Sequence, residues 1–235
     1  MSNQKKKEIE IFYAEKTSQL LGESWRIVVA DNENDWPDLI VSTELQKFGL
    51  EVREIYFDET KTGSPRKAKE KNNLKAINDL ADAYYKRTLP PIRVSFLCDI
   101  IISDLLLQAI INAAGQLSER QQMEIEPYNG CRIIILRLPD SMETYKRWEY
   151  INDRIGWVRN VDKGIIEKFI FEKAQKLTKY NTFISDVRLL LVSNRMFSSG
   201  KAELAEHNLF INTYGFNEVY YLSYPDAAFK LRRFV

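Results

Sequence analysis

Residues 36–57, WPDLIVSTELQKFGLEVREIYF, hold the side chains whose types and spacing could do chemistry. Two strand-like runs, 38–42 and 48–57, flank a polar loop at 43–46, the pattern of a hairpin. Pairing around that loop sets Ser42 opposite Lys47, Val41 opposite Phe48 and Asp38 opposite Glu51. Directly opposed residues share a face, with Cβ atoms about 4.5–5.5 Å apart, so the hairpin brings two carboxylates together. One carboxylate alone holds a hard divalent cation weakly. Two converging ones, with waters and a substrate phosphate, suit Mg2+ or Mn2+. The strand period of two adds Arg53 to the face of Glu51, so that face reads acid, acid, base.

Two further basic groups stand out. Ile166, Ile170, Lys173, Leu177 and Tyr180 recur at heptad-like spacing, which sets Lys173 within the apolar seam of a helix expected at 165–180. A lysine aimed at a core is uncommon without a partner; the plainer alternative is a stem that packs while its amine reaches water. Lys176 follows one turn later, beside that seam. Residues 61–75 set Lys61, Arg66, Lys67, Lys69, Lys71 and Lys75 against Glu70 alone. Such a run could contact phosphates in a salt-dependent way, or be a solvated loop and helix face.

The elements that must position these groups alternate along the chain. A helix is expected at 4–22, with Ile9, Phe12, Leu20 and Leu21 as its partial apolar face and Gly22 at its end. Strands are expected at 25–30, 38–42 and 48–57, then a helical pattern through Arg87 that Pro90 and Pro91 break. Strands at 92–97, 132–138, 186–193 and 216–223 follow, with a helix capped by Ser103 and the helix at 165–180 between them. The aromatics Tyr145, Trp148, Tyr150 and Trp157 suggest a packed aromatic surface. Mixed alternation of this kind predicts an α/β chain with helices on the faces of a mixed sheet. No clean linker appears, so a single domain over 1–235 is expected.

Composition narrows the function classes. The chain has 235 residues, 45% hydrophobic and 29% charged, which is a globular balance. A net charge of +1 excludes bulk polycationic attraction to nucleic acid and leaves only a local patch. Cys98 and Cys131 have no zinc spacing and read as buried small hydrophobes. The basic N-terminal run lacks an apolar region behind it, so no signal peptide is expected. Asp99 and Asp104 interrupt the apolar stretch 94–114, which reads as a strand and a helix rather than a membrane span; a soluble, cytoplasmic chain is expected. His207 is the only histidine, and GxSxG, GxxxxGK[ST] and GxGxxG are all absent.

Pro-Asp at a strand start, a hairpin, and Glu-x-Lys on the next strand mark the PD-(D/E)XK phosphodiesterases. This chain resembles them at Pro37-Asp38 and Glu51-Val52-Arg53. That family orders helix, three strands, helix, strand, and the segments 4–22, 25–30, 38–42, 48–57, 165–180 and 186–193 can supply each. The resemblance implies a restriction-endonuclease-like mixed β-sheet flanked by helices, with core 4–57 and 163–223 and a long α/β insertion at 58–162. It implies metal-dependent hydrolysis of phosphodiesters in DNA or RNA, with Asp38 and Glu51 holding Mg2+ or Mn2+ and Arg66, Lys67, Lys69 and Lys71 contacting nucleic acid. Arg53 stands where the family has lysine. Arginine keeps its proton, so it could steady a phosphate but not accept a proton from water. Some members carry the lysine on the following helix, which implies Lys173 for that part, and Lys176 second. A first-helix carboxylate assists in some members, and Glu8 and Glu15 are available. The alternative is a non-catalytic module that kept the fold and binds nucleic acid or protein, with the insertion and the aromatic stretch as its partner surface.

Overall fold

A computed structural model describes residues 3–29, 37–60, 63–128, 130–142, 145–146, 148–151, 158–206 and 209–233. The chain divides into two units, Met1–Ser64 with Trp157–Val235, and Pro65–Gly156. The second unit lies within the stretch read as an insertion at 58–162.

The first unit opens with α1 (Asn3–Leu21), which Gly22 ends in a left-handed conformation at φ +68°. Three strands follow: β1 (Arg26–Val29), β2 (Leu39–Ser42) and β3 (Lys47–Glu54). The second unit carries α2 (Pro65–Tyr85), β4 (Ile92–Phe96), α3 (Asp104–Gln116), β5 (Gln122–Ile125), β6 (Ile133–Arg137) and β7 (Glu149–Tyr150). The chain then returns to the first unit through β8 (Arg159–Val161), α4 (Lys163–Ala174), α5 (Leu177–Tyr180), β9 (Val187–Asn194), β10 (Ala202–Leu204), β11 (Phe210–Ile211), β12 (Val219–Tyr224), β13 (Ala227–Lys230) and β14 (Arg232–Arg233).

A six-stranded mixed sheet, β1-β2-β3-β9-β12-β13, organises the first unit. The β1–β2, β2–β3 and β12–β13 pairs are antiparallel, and β3–β9 and β9–β12 are parallel. Central β9 (VRLLLVSN) is buried along its whole length, as a strand covered on both faces must be. Its residues alternate between two cores. Leu190 and Val192 join Tyr13, Ala14, Leu39, Leu50 and Val52 on the α1 face. Leu189 and Leu191 join Phe169, Ile170, Val219 and Tyr221 on the α4 face. Phe216, Tyr220 and Tyr221 are fully buried. Short parallel pairs, β8–β10 and β11–β14, complete the unit.

The second unit is a four-stranded sheet, β5-β6-β4-β7, with α2 and α3 packed on it around Ile77, Leu80, Phe96, Ile110 and Ile133. Ser103 caps α3, its Oγ accepting from the Leu106 N–H at 3.2 Å. The apolar stretch therefore resolves into strand and helix, and no helix among the described residues is long and apolar enough to cross a membrane.

Three expectations need correction. Cys98 and Cys131 are not separate hydrophobes but a disulfide, with Cα atoms 4.8 Å apart. The ladder explains it: Phe96 pairs with Ile133, and the same register two residues on sets Cys98 opposite Cys131. The expected helix at 165–180 breaks after Ala174 and resumes at Leu177. Trp148 is buried against Tyr84, Tyr85 and Phe96 rather than presented on a surface, and Tyr150 packs beside that core. Trp157 lies outside the described residues.

Candidate functional site

The hairpin has the register its loop length dictates: Ser42 pairs with Lys47, Val41 with Phe48 and Leu39 with Leu50. Pairing with β2 stops there, while β3 continues beside β9 to Glu54. The end of β2 would leave the next β3 amide on that side, Val52 N–H, without a ladder partner. Asp38 supplies one, its Oδ2 accepting at 2.9 Å. Asp38 thus lies in the notch beside β3, with its second oxygen turned elsewhere. Gly49 makes the approach possible. A Cβ there would stand 2.5 Å from Cγ of Pro37, the residue that fixes the chain entering Asp38.

Glu51 is on the α4 face of β3, with its side chain 3% exposed. Lys173, near the end of α4, reaches it: Nζ donates to Oε1 at 2.5 Å, and the lysine is 22% exposed. The seam position read from the helix spacing therefore ends on a partner instead of in water. Arg53, two residues along the same face, is held elsewhere. It donates to Glu172 at 2.6 Å, Glu59 at 3.3 Å and the Phe169 carbonyl at 3.2 Å, with its guanidinium 4.8 Å from the Phe169 ring centre. Lys176 is exposed at the break between α4 and α5, and among the described residues it pairs with none of these carboxylates.

The first helix contributes a carboxylate, but neither of the two proposed from sequence. Glu8 and Glu15 are exposed, and so are Ile9 and Phe12 of the expected apolar face. The buried stripe of α1 is instead Glu10, Tyr13, Ala14 and Thr17, at helical spacing. Thr17 suits that stripe by returning its hydroxyl to the Tyr13 carbonyl at 2.8 Å. A glutamate extending a mostly polar stripe gives no hydrophobic signal, and the Glu10–Tyr13–Ala14–Thr17 spacing was the only trace of it.

Two lysines bridge Glu10 to Asp38. Lys7 Nζ lies 3.2 Å from Glu10 Oε2 and 3.5 Å from Asp38 Oδ1, and donates to the Asp38 carbonyl at 3.0 Å. Lys6 Nζ lies 3.0 Å from Glu10 Oε1 and 3.9 Å from Asp38 Oδ1. Burial opposes the Lys6 charge, but Glu10, Asp38 and Glu51 outweigh it and lift its ammonium above its usual range.

Carboxylate oxygens of Glu10 and Asp38 and the Asp38 carbonyl already surround the Lys7 ammonium, and Glu10 Oε2 is buried without a hydrogen bond. An all-oxygen, anionic donor set matches Mg2+ or Mn2+. As they stand, no three acidic, histidine or cysteine side chains among the described residues are close enough to grip one ion. The ammonium groups stand between them, so an ion would have to draw the carboxylates in.

Arg66, Lys67, Lys69 and Lys71 lie on the first turns of α2, in the second unit. Lys69 pairs with Asp99 at 2.6 Å. Lys61 and His207 lie outside the described residues. No protein-family model matches the chain, no curated protein matches it, and no solved structure matches it.

Proposed function

We propose that the chain is a metal-dependent phosphodiesterase of the restriction-endonuclease-like kind, acting on nucleic acid. The observation that carries this reading is the pair of carboxylates at neighbouring positions of β2 and β3: Asp38 held by the Val52 N–H, Glu51 paired with Lys173, and Glu10 of α1 joined to Asp38 through Lys7. The element order supports it: a helix, a three-stranded antiparallel meander, then a helix and a strand parallel to β3. That is the order of PD-(D/E)XK proteins.

Asp38 and Glu51, with Glu10 beside them, would hold Mg2+ or Mn2+; the bound ion supplies the charge that polarises a phosphodiester and acidifies a water. The chain's own groups do the rest. The Val52 N–H fixes one oxygen of Asp38 and thereby aims the other. Lys173 orients Glu51 and offers an ammonium where negative charge develops on a phosphate. Arg53 is assigned no step, since Glu172, Glu59 and the Phe169 carbonyl engage its two terminal nitrogens.

A non-catalytic binding module is the second reading. The position of Lys7 between Glu10 and Asp38 favours it, because that ion pairing compensates the carboxylates without any metal. Calorimetric titration of Mn2+ and a cleavage assay on duplex DNA, single-stranded DNA and RNA separate the two. The hydrolase reading expects saturable binding and cleavage, both lost in Asp38→Asn with the circular dichroism spectrum unchanged. It also expects Lys173→Met to keep Mn2+ binding while losing about 100-fold or more in cleavage rate, the scale of removing one charge-stabilising donor. A folded wild type that neither binds Mn2+ nor cleaves would leave the binding module.

A further inference from the structure

We infer that a cleft between α4 and the turn 212–216 lodges one unpaired nucleotide of a nucleic-acid strand, its base on Tyr214 and a phosphate on Arg233, so that the chain takes single strands in preference to duplex. This rests on the nucleic-acid reading above and adds which form of the polymer is recognised and by which residues.

The cleft belongs to the first unit and has a volume of about 420 Å3. That is room for a small organic group rather than a lone ion, since such pockets run from roughly 300 to 1,000 Å3. Lys163 and Glu167 line it from α4, Arg233 from β14, and Asn212, Thr213 and Tyr214 from the turn that follows β11. The charges of this lining do not cancel. Glu167 is already served: its Oε1 accepts the Asn212 N–H at 2.7 Å and lies 3.6 Å from Lys163 Nζ. Arg233 makes no ion pair or hydrogen bond with any described residue, which leaves one positive charge in excess. A phosphodiester carries one negative charge, and a guanidinium meets its two free oxygens with parallel N–H donors. Thr213 is 3% exposed, and its hydroxyl has no hydrogen-bond partner among the described residues. A phosphate oxygen would give it one.

The aromatic wall is held in an unusual backbone. Tyr214 has φ +48°, a left-handed conformation that bulky side chains rarely adopt. Asn212 Oδ1 fixes it by accepting the Tyr214 N–H at 2.8 Å, and the Phe216 N–H closes the turn on the Thr213 carbonyl at 3.0 Å. Phe216 is fully buried and anchors that turn in the core. Residues held in such conformations cluster at ligand clamps. The Tyr214 ring is 36% exposed and packs edge-on with Phe171 at 5.3 Å between centres, and Phe171 is itself 52% exposed. Exposed rings beside an uncommitted arginine are the parts that single-strand binders use, because every base has a π-face to stack. In a duplex that face is already stacked on its neighbours, so the cleft selects an unpaired nucleotide.

Fluorescence anisotropy of the full chain in EDTA tests the inference, with a labelled single-stranded oligonucleotide and its duplex. Wild type should bind the single strand more tightly. Tyr214→Leu should weaken that binding about tenfold, within the range for losing one base–aromatic stack, while Tyr214→Phe should not. Arg233→Met should lower the slope of log affinity against log salt by about 0.7, the share of one phosphate on a single strand. Lys168→Met, which removes the same charge from an exposed position of α4, should leave the slope unchanged. Single-strand binding that Tyr214→Leu and Arg233→Met leave intact overturns the inference and leaves the nucleic-acid reading standing, as does a preference for duplex. No binding to either form overturns the inference, and the Mn2+ and cleavage assays above then judge the hydrolase reading by themselves. If those assays fail while the two variants still weaken single-strand binding, the inference holds and the hydrolase reading falls. Should Tyr214→Leu not fold, the Arg233→Met slope decides, since that exposed side chain has no ion pair or hydrogen bond to lose.

Discussion

Lys173 is where a spacing argument and a contact meet. Its place in the apolar seam of α4 demanded a partner, and Glu51 is that partner at 2.5 Å. Glu51 is almost wholly buried, so removing the lysine leaves a nearly uncompensated charge in the core. Lys173→Met should cost about 3 kcal/mol in urea unfolding. Replacing Glu51 by leucine as well should restore most of that loss, since the pair is then exchanged for apolar contact. Glu218 shows the same logic through pH. Burial works against its charge, but hydrogen bonds from Lys230 and Tyr220 and the Arg188 charge outweigh burial and hold the carboxyl below its usual 4.5. A lowered folded value means the contribution is complete above about pH 4.5 and is lost as pH falls through the folded value. Urea melts on either side of that window should show the loss, and Glu218→Gln should flatten it.

At the scale of elements, the hairpin is the part most exposed to test. Its register follows from loop length and alternation, which are local, and so the pairing of Ser42 with Lys47 and Val41 with Phe48 was legible in the sequence. Gly49 was not singled out, because a glycine in a strand has no chemistry of its own. Its role lies in the 2.5 Å approach of Pro37, with Ile184 Cγ2 at 3.1 Å on another side. Gly49→Ala must push Pro37, and with it Asp38. Stability should fall by about 1–3 kcal/mol, the range for overpacking a filled core, and Mn2+ affinity should fall with it; an unchanged affinity would detach Asp38 from that packing. Helix α1 was legible as a helix but not in its orientation. Its buried stripe mixes Glu10, Tyr13, Ala14 and Thr17, so hydrophobic periodicity pointed to Ile9 and Phe12, which face solvent.

On the scale of the molecule, the chain carries two units with different fastenings. The first unit relies on a central strand buried on both faces. The second adds a covalent link, Cys98–Cys131, across a sequence separation of 33. Closing a loop of that length restricts the unfolded chain by about 3–4 kcal/mol in the chain-entropy account. Reduction, or Cys98→Ser with Cys131→Ser, should therefore speed hydrogen exchange in β4 and β6. Exchange that is indifferent to reductant would show that the link stabilises nothing. The basic run of α2 belongs to this second unit.

The sequence alone determined what depends on neighbours along the chain: the first helix and the longer strands, the hairpin register, the Ser103 cap and the place of Lys173 in a helical seam. Loop length, strand alternation and helical period settle these within a few residues. The sequence did not show the short strands β5, β7, β8, β10, β11, β13 and β14. Only the tertiary structure decided what depends on distant segments. It chose Glu10 over Glu8 and Glu15, brought Lys7 to Asp38 across 31 residues, and committed Arg53 to Phe169 and Glu172 across 116 and 119. It also paired the two cysteines. Such contacts are fixed by which faces pack, and packing is set by the fit of whole surfaces rather than by any local pattern.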